Sequence, residues 1–409
     1  MLRGTYEPGF EPLAEALEKI LAAPPHGGAG VTVYQHGRPV FEMWGGPKNP
    51  DGEPWERTTP SVSYSTSKGV IATALHMCRD RGLIRYDDPV AKYWPEFAQN
   101  GKGGITVRQA LSHGAGLYAA RTILAQADQL LDWDATVEAL AAAPAAHAPG
   151  RHHAYHAITY GHLIGELVRR VSGKPVPRFV REEIAEPLGL RAFFLGAPDD
   201  AIAQAARNMV IAPGRTTGES PAHSKARQEQ KAARMRLLGR VLSVVGVPLD
   251  PERTNRAFTI KGISKLDFSS PTVLRACIPA ANGLFAAPDL ARFYAVLAGG
   301  GAIDGVRLLS ESTLREATTI HARGPDGVLV APMRWRLGYH GVLGYRGFVR
   351  GAFGHYGYNG SGAWASPRHR ASLAYVVNAG MGTPVGDVRM IKLTSAAMIG
   401  LKARMRRAA

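Results

Sequence analysis

The sequence predicts an α/β protein in which both ends of the chain build one layer and the middle forms a mostly helical second lobe. Three observations lead there. Strand-like runs gather near the two ends, at Val31–Gln35, Pro39–Trp44, Trp335–Tyr339, His355–Trp364 and Ala371–Asn378. Helical periodicity dominates from about Asp87 to Leu190. At 409 residues the chain is long enough to bury a large core. Strand-rich ends around a helical middle imply one α/β sandwich domain from residues 1–75 and 281–409, with a helical domain from 76–280.

Each element follows in order. Phe10 to Ala22 carries Leu13, Ala16, Leu17, Ile20 and Leu21 at helical spacing, so an amphipathic helix opens the fold. The first two strand runs flank His36-Gly37-Arg38 and read as a β-hairpin. Ser61–Tyr64 leads into Ser65-Thr66-Ser67-Lys68, followed by a long apolar helix to about Arg81. Asp88-Pro89, Ala148-Pro149-Gly150 and Glu186-Pro187 punctuate the helical middle. From Ala201 to about Pro271 an insertion of different character contains a Gly/Thr/Ser-rich turn, Gly214–Ser220, and a basic helix from about His223 to Val245. Helices over Asp289–Leu297 and about Met390–Arg406 bracket the C-terminal strands.

The formal charge of +16 is partly local. Between Ala201 and Leu249 eight Lys/Arg face only Glu219 and Glu229, and Lys402, Arg404, Arg406 and Arg407 close the chain. Zinc-finger, RNA-recognition and basic-zipper signatures are missing, so no nucleic-acid partner is expected. Lys225, Arg227, Lys231, Arg234, Arg236 and Arg240, followed by Val241–Val245, have the make-up of an interfacial helix. Peripheral contact with an anionic membrane is one reading of it; a solvated lid is the other. No apolar run is long enough to span a bilayer, and Met1–Glu7 lacks a signal-peptide core. With only Cys78 and Cys277, both in apolar runs, a cytoplasmic home and core thiols are expected rather than a disulfide framework.

Ser65 and Lys68 lie three residues apart at a helix start, so the ammonium can reach the hydroxyl. A serine alcohol is a weak nucleophile until a neighbouring base takes its proton. Lysine can serve once burial lowers its pKa. Alone, so short a motif carries a high risk of coincidence.

Further blocks stand in order along the chain. Gly82–Val90 with Tyr93-Trp94-Pro95-Glu96-Phe97, Ile105–Leu117, Glu186–Leu190 and Ala281–Phe293 are the main ones. With Ser65–Lys68 they resemble the serine β-lactamases of the class C type and the related esterases and D-alanyl-D-alanine carboxypeptidases. That resemblance spans about Val31 to Asn378, the insertion excepted. It implies the serine β-lactamase/DD-peptidase-like fold, an antiparallel sheet flanked by helices beside a helical lobe.

The resemblance also implies the site. Tyr155-His156-Ala157, with Gly161 six residues on, matches the Tyr-x-Asn motif, which makes Tyr155 the third catalytic residue beside Ser65 and Lys68; Tyr160 is its competitor. His355-Tyr356-Gly357 matches the His-x-Gly form of the third motif and would bind substrate. The backbone N–H groups of Ser65 and Tyr358 would form the oxyanion hole. Ala157 in place of asparagine, and His355 in place of lysine, remove two grips on β-lactams and on substrate carboxylates, which favours small carboxylic esters.

The implied function is hydrolysis of carboxylic esters through an acyl-enzyme on Ser65, without metal or organic cofactor. A β-lactamase or D-alanyl-D-alanine peptidase, an acyltransferase and a non-catalytic scaffold of the same fold are the alternatives. Sequence leaves open whether Lys68 or Tyr155 is the formal base, as well as the oligomeric state. His147, His152, His153, His156 and His162 crowd one region but lack a zinc-ligand spacing. The G-x-S-x-G elbow of α/β-hydrolases is absent.

Overall fold

A computed structural model describes residues 2–209, 251–380 and 387–407. Among these residues the main sheet has nine strands, all paired antiparallel. They are β1 (Arg3–Tyr6), β2 (Ala29–Gln35), β3 (Arg38–Gly45), β4 (Ala322–Pro325), β5 (Pro332–Trp335), β6 (His340–Gly344), β7 (Gly347–Tyr356), β8 (Gly362–Ser366) and β9 (Ala371–Val377). The spatial order is β1-β3-β2-β9-β8-β7-β6-β5-β4, so β2 from the N-terminal part pairs with β9 near the C-terminus, Val33 opposite Leu373.

Alternation along β9 separates two cores. Leu373 and Tyr375 enter one, Ala374 and Val376 the other. On the first face lie α1 (Glu11–Ala22) and the C-terminal helix. Helix α1 buries Leu13, Leu17 and Ile20 there, about 1.5–3 kcal/mol for each such side chain. The second face receives the helix Ala287–Ala298 and, beyond it, α2 (Ser67–Asp80), which is buried on all sides from Ser67 to Cys78. A helix buried all round belongs in the interior, and α2 packs on α3 (Tyr160–Ser172). This is the α/β arrangement expected, an antiparallel sheet flanked by helices.

Some expectations need correction. His355–Trp364 is not one strand: a turn at 357–361 separates β7 from β8, closed by Gly357 N–H to the Ser361 carbonyl at 2.6 Å. Asn359 fixes that turn, its amide donating to the carbonyls of Val62 (3.0 Å) and Val377 (2.7 Å). Trp335–Tyr339 likewise ends at Trp335, where Arg336 N–H bonds the Tyr339 carbonyl at 2.8 Å and reverses the chain into β6. Cys78 is buried, but Cys277 is only half-buried at the core's edge. The basic helix expected from about His223 to Val245 and the turn Gly214–Ser220 lie outside the described residues. Among the described residues no helix is long and apolar enough to cross a membrane.

Candidate active site

Ser65 occupies the turn that enters α2. The residue before it, Tyr64, has a φ of 45°, uncommon for a bulky side chain. Its hydroxyl accepts a hydrogen bond from Asn208 Nδ2 at 2.9 Å, and its ring packs 5.5 Å from Phe268 and 6.0 Å from Tyr358. Asn208 and Phe268 belong to the described ends of the insertion, which therefore reach the mouth of the site. Ser67 is fully buried; its Oγ donates to the Tyr64 carbonyl at 2.5 Å and accepts Gly283 N–H at 2.9 Å.

Lys68 is wholly buried. Its Nζ lies 2.9 Å from Ser65 Oγ, 2.6 Å from the Ala157 carbonyl and 2.9 Å from the Ala280 carbonyl. Burial, with no carboxylate beside it among the described residues to compensate, drives its pKa well below the usual lysine value. The Ala280 loop is pinned by Asn282, which donates to the carbonyls of Val273 and Ala276 and accepts Ile278 N–H. Gly161 in the first turn of α3 lets that helix close on this loop, since a Cβ there would lie 2.2 Å from Ala280 N. Main-chain oxygen of Ala157 and Ala280 thus holds the lysine.

Tyr155 joins this pair. Its ring centroid is 5.0 Å from Lys68 Nζ, and its hydroxyl is near enough to Ser65 for that residue to act on its pKa. Burial pushes the phenol pKa above its usual value, against a smaller opposing pull from Ser65, so the neutral phenol is favoured. Tyr160 donates instead to the Leu111 carbonyl at 3.3 Å, in the core. Of the two tyrosines, Tyr155 is the one at Ser65.

His355 is buried on β7, 6.0 Å from the Tyr155 ring and 4.9 Å from His340. Its Nδ1 bonds the Tyr356 carbonyl at 3.1 Å; that nitrogen therefore carries the proton, and Nε2 presents a lone pair. No partner meets Nε2 among the described residues. Burial first, then His340 and Lys68, lowers its pKa well below the usual histidine value. The group is a neutral acceptor. Tyr356, next along the strand, points to the opposite face and packs near Met390, so its ring is turned away from Ser65.

Gly357 meets the serine turn directly. A Cβ there would lie 2.3 Å from the Ser63 carbonyl oxygen. Neither the Ser65 nor the Tyr358 amide has a hydrogen-bond acceptor among the described residues, which leaves both N–H groups available to a substrate oxygen.

Several of the crowded histidines have partners within the fold. His156 donates from Nδ1 to the Ala154 carbonyl and accepts Leu117 N–H, and His153 donates to the Ser112 carbonyl. His162 packs against Trp133. Among the described residues no group of three or more His, Cys, Asp or Glu side chains could hold a metal ion. Sequence reasoning missed Asp326, buried behind Tyr155, and the packing of His113 and Trp335 on that tyrosine. His113 lies within the Ile105–Leu117 block, but nothing local to Asp326 signals its long-range partners.

A family model described as Beta-lactamase matches residues 13–395. The chain is 36% identical over 381 residues to the esterase/β-lactamase LipL of Mycobacterium tuberculosis, over 92% of this chain and 82% of that protein. A solved penicillin-binding protein homolog from Caulobacter crescentus superposes with a TM-score of 0.81 at 33% identity, covering 98% of this chain and 100% of that one. A solved family VIII carboxylesterase gives a TM-score of 0.81 at 29% identity, covering 98% and 100%.

Proposed function

The chain belongs to the β-lactamase family, and from that premise we propose that Ser65, Lys68 and Tyr155 cleave carboxylic esters through an acyl-enzyme on Ser65. It is a serine ester hydrolase of the β-lactamase fold, in keeping with an esterase relative and a carboxylesterase neighbour. Its substrates are small-molecule esters.

The observation that carries the assignment is the contact between Lys68 Nζ and Ser65 Oγ at 2.9 Å in a site that excludes water from the lysine. Burial pushes the two proton-transfer groups toward opposite roles. Lys68, with a lowered pKa, supplies a neutral amine that takes the Ser65 proton as Oγ attacks the ester carbonyl. Tyr155, with a raised pKa, keeps its proton until it can pass one to the departing alkoxide, and is re-protonated from Lys68. The Ser65 and Tyr358 amides stabilise the oxyanion. Water then repeats the sequence on the acyl-enzyme and releases the acid.

Two features favour esters over β-lactams. The amide that would grip a β-lactam side chain is replaced by Ala157. His355 is a neutral acceptor and offers no cation to a substrate carboxylate. Hydrolysis of p-nitrophenyl esters across acyl lengths, with Ser65→Ala as control, tests the proposal: turnover abolished in the variant supports it, and undiminished turnover contradicts it. Contact of the basic insertion with an anionic membrane and a cytoplasmic home are separate proposals, which vesicle co-sedimentation and cell fractionation test.

A further inference from the structure

Asp326 lies in the turn between β4 and β5, with its residue only 1% exposed. A buried carboxylate is costly unless its oxygens are bonded, and these are. Oδ1 accepts the N–H groups of Tyr155 (3.1 Å), Val328 (2.8 Å) and Leu329 (2.9 Å). Oδ2 accepts Trp335 Nε1–H at 2.9 Å. The two bonds to Val328 and Leu329 close the turn itself. The other two reach beyond it, and both lead to Tyr155. One holds its main chain across 171 residues of sequence. The second fixes an indole whose plane lies 8° from the Tyr155 ring at 5.6 Å. His113 packs edge-on against both rings, 4.4 Å from Trp335 and 5.0 Å from Tyr155.

We infer that Asp326 is the positioning residue for Tyr155, one carboxylate oxygen fixing the tyrosine's backbone and the other the indole that backs its ring. The inference rests on the reading of Tyr155 as the proton carrier. A carboxylate is required because all the partners are donors. An asparagine has one oxygen and one NH₂ group. If its oxygen keeps the three amides, its NH₂ is forced against the indole N–H, donor against donor. Removing that indole donor should then relieve the conflict.

The test compares kcat and KM on p-nitrophenyl butyrate for the wild type, D326N, W335F, D326N/W335F and Y155F. D326N is expected to lower kcat by about 30-fold with KM within about threefold, because a displaced catalytic group loses rate before affinity. W335F is expected to lose about threefold, and the double variant to return close to W335F. D326N with wild-type kcat, or a double variant no better than D326N, overturns the inference. Should D326N fail to show a cooperative thermal transition, W335F decides: loss of kcat at constant KM supports the inference, and unchanged kcat overturns it. Y155F at wild-type kcat would instead remove the reading of Tyr155, whatever D326N does.

Discussion

Lys68 Nζ stands 2.9 Å from Ser65 Oγ and makes its other two hydrogen bonds to the carbonyls of Ala157 and Ala280. A neutral amine has two N–H donors and one lone pair. The two carbonyls take the donors, so the lone pair is left facing the serine hydroxyl. The same geometry serves the ammonium, whose third N–H is then donated to Ser65 Oγ. Proton uptake therefore needs no movement of the side chain.

Lys68→Met is accordingly expected to lower kcat/KM on p-nitrophenyl butyrate by about 10³-fold or more. Lys68→Arg should not rescue it, since a guanidinium does not release its proton. Because burial holds the Lys68 pKa well below 10.5, the acid limb of kcat/KM should end in a plateau far below that pH. Activity still rising at pH 10, or an active Lys68→Arg, would contradict the base assignment.

Gly357 and Ser63 make a second exacting contact. A methyl group on Gly357 would lie 2.3 Å from a backbone oxygen that cannot swing away, so β7 and the Tyr358 amide must shift from Ser65. Losing one oxyanion donor costs about 10²–10³ in kcat. Gly357→Ala should show a loss of that order with KM little changed. A fully active Gly357→Ala would remove the Tyr358 amide from the mechanism.

Substrate preference follows from charge. With His355 neutral and Ala157 offering no side-chain amide, kcat/KM on a short-chain p-nitrophenyl ester should exceed that on nitrocefin by at least roughly a hundredfold, about 2.7 kcal/mol in transition-state stabilisation. Side-by-side rates within a few-fold of each other would defeat the esterase preference.

His162 bears on stability rather than catalysis. It is fully buried, neither ring nitrogen has a partner among the described residues, and burial lowers its pKa from 6.5 to about 4. Above pH 6.5 the ring is neutral in both states and contributes no pH dependence. Between pH 6.5 and 4 the unfolded chain binds a proton that the folded one excludes, so stability falls by up to ~1.4 kcal/mol per pH unit as pH drops. His162→Phe should therefore raise Tm more at pH 5 than at pH 8. An equal change at both pH values would contradict this.

The parts of this protein legible in its sequence are those built from local periodicity. Leu13, Leu17 and Ile20 announce α1, the runs around His36-Gly37 announce a hairpin, and three-residue spacing joins Ser65 to Lys68. The second acceptor of Lys68 was not legible, because a main-chain carbonyl such as that of Ala280 leaves no trace in residue type. Asp326 was hidden for a related reason: its partner Tyr155 is 171 residues away, and locally it resembles any turn aspartate. The strand assignment across His355–Trp364 failed because Asn359, which fixes the break, does so through carbonyls contributed by Val62 and Val377.

The central claim is that Ser65 is the nucleophile, and covalent labelling tests it most directly. Ser67 and Ser361 are the nearby alternatives in sequence motif, yet both are fully buried: Ser67 is bonded to Tyr64 and Gly283, and Ser361 to the backbone of Val377. A fluorophosphonate probe should label the protein once, peptide mapping should place the adduct on Ser65, and Ser65→Ala should abolish labelling. An adduct on Ser67 or Ser361, or undiminished labelling of Ser65→Ala, would contradict the account.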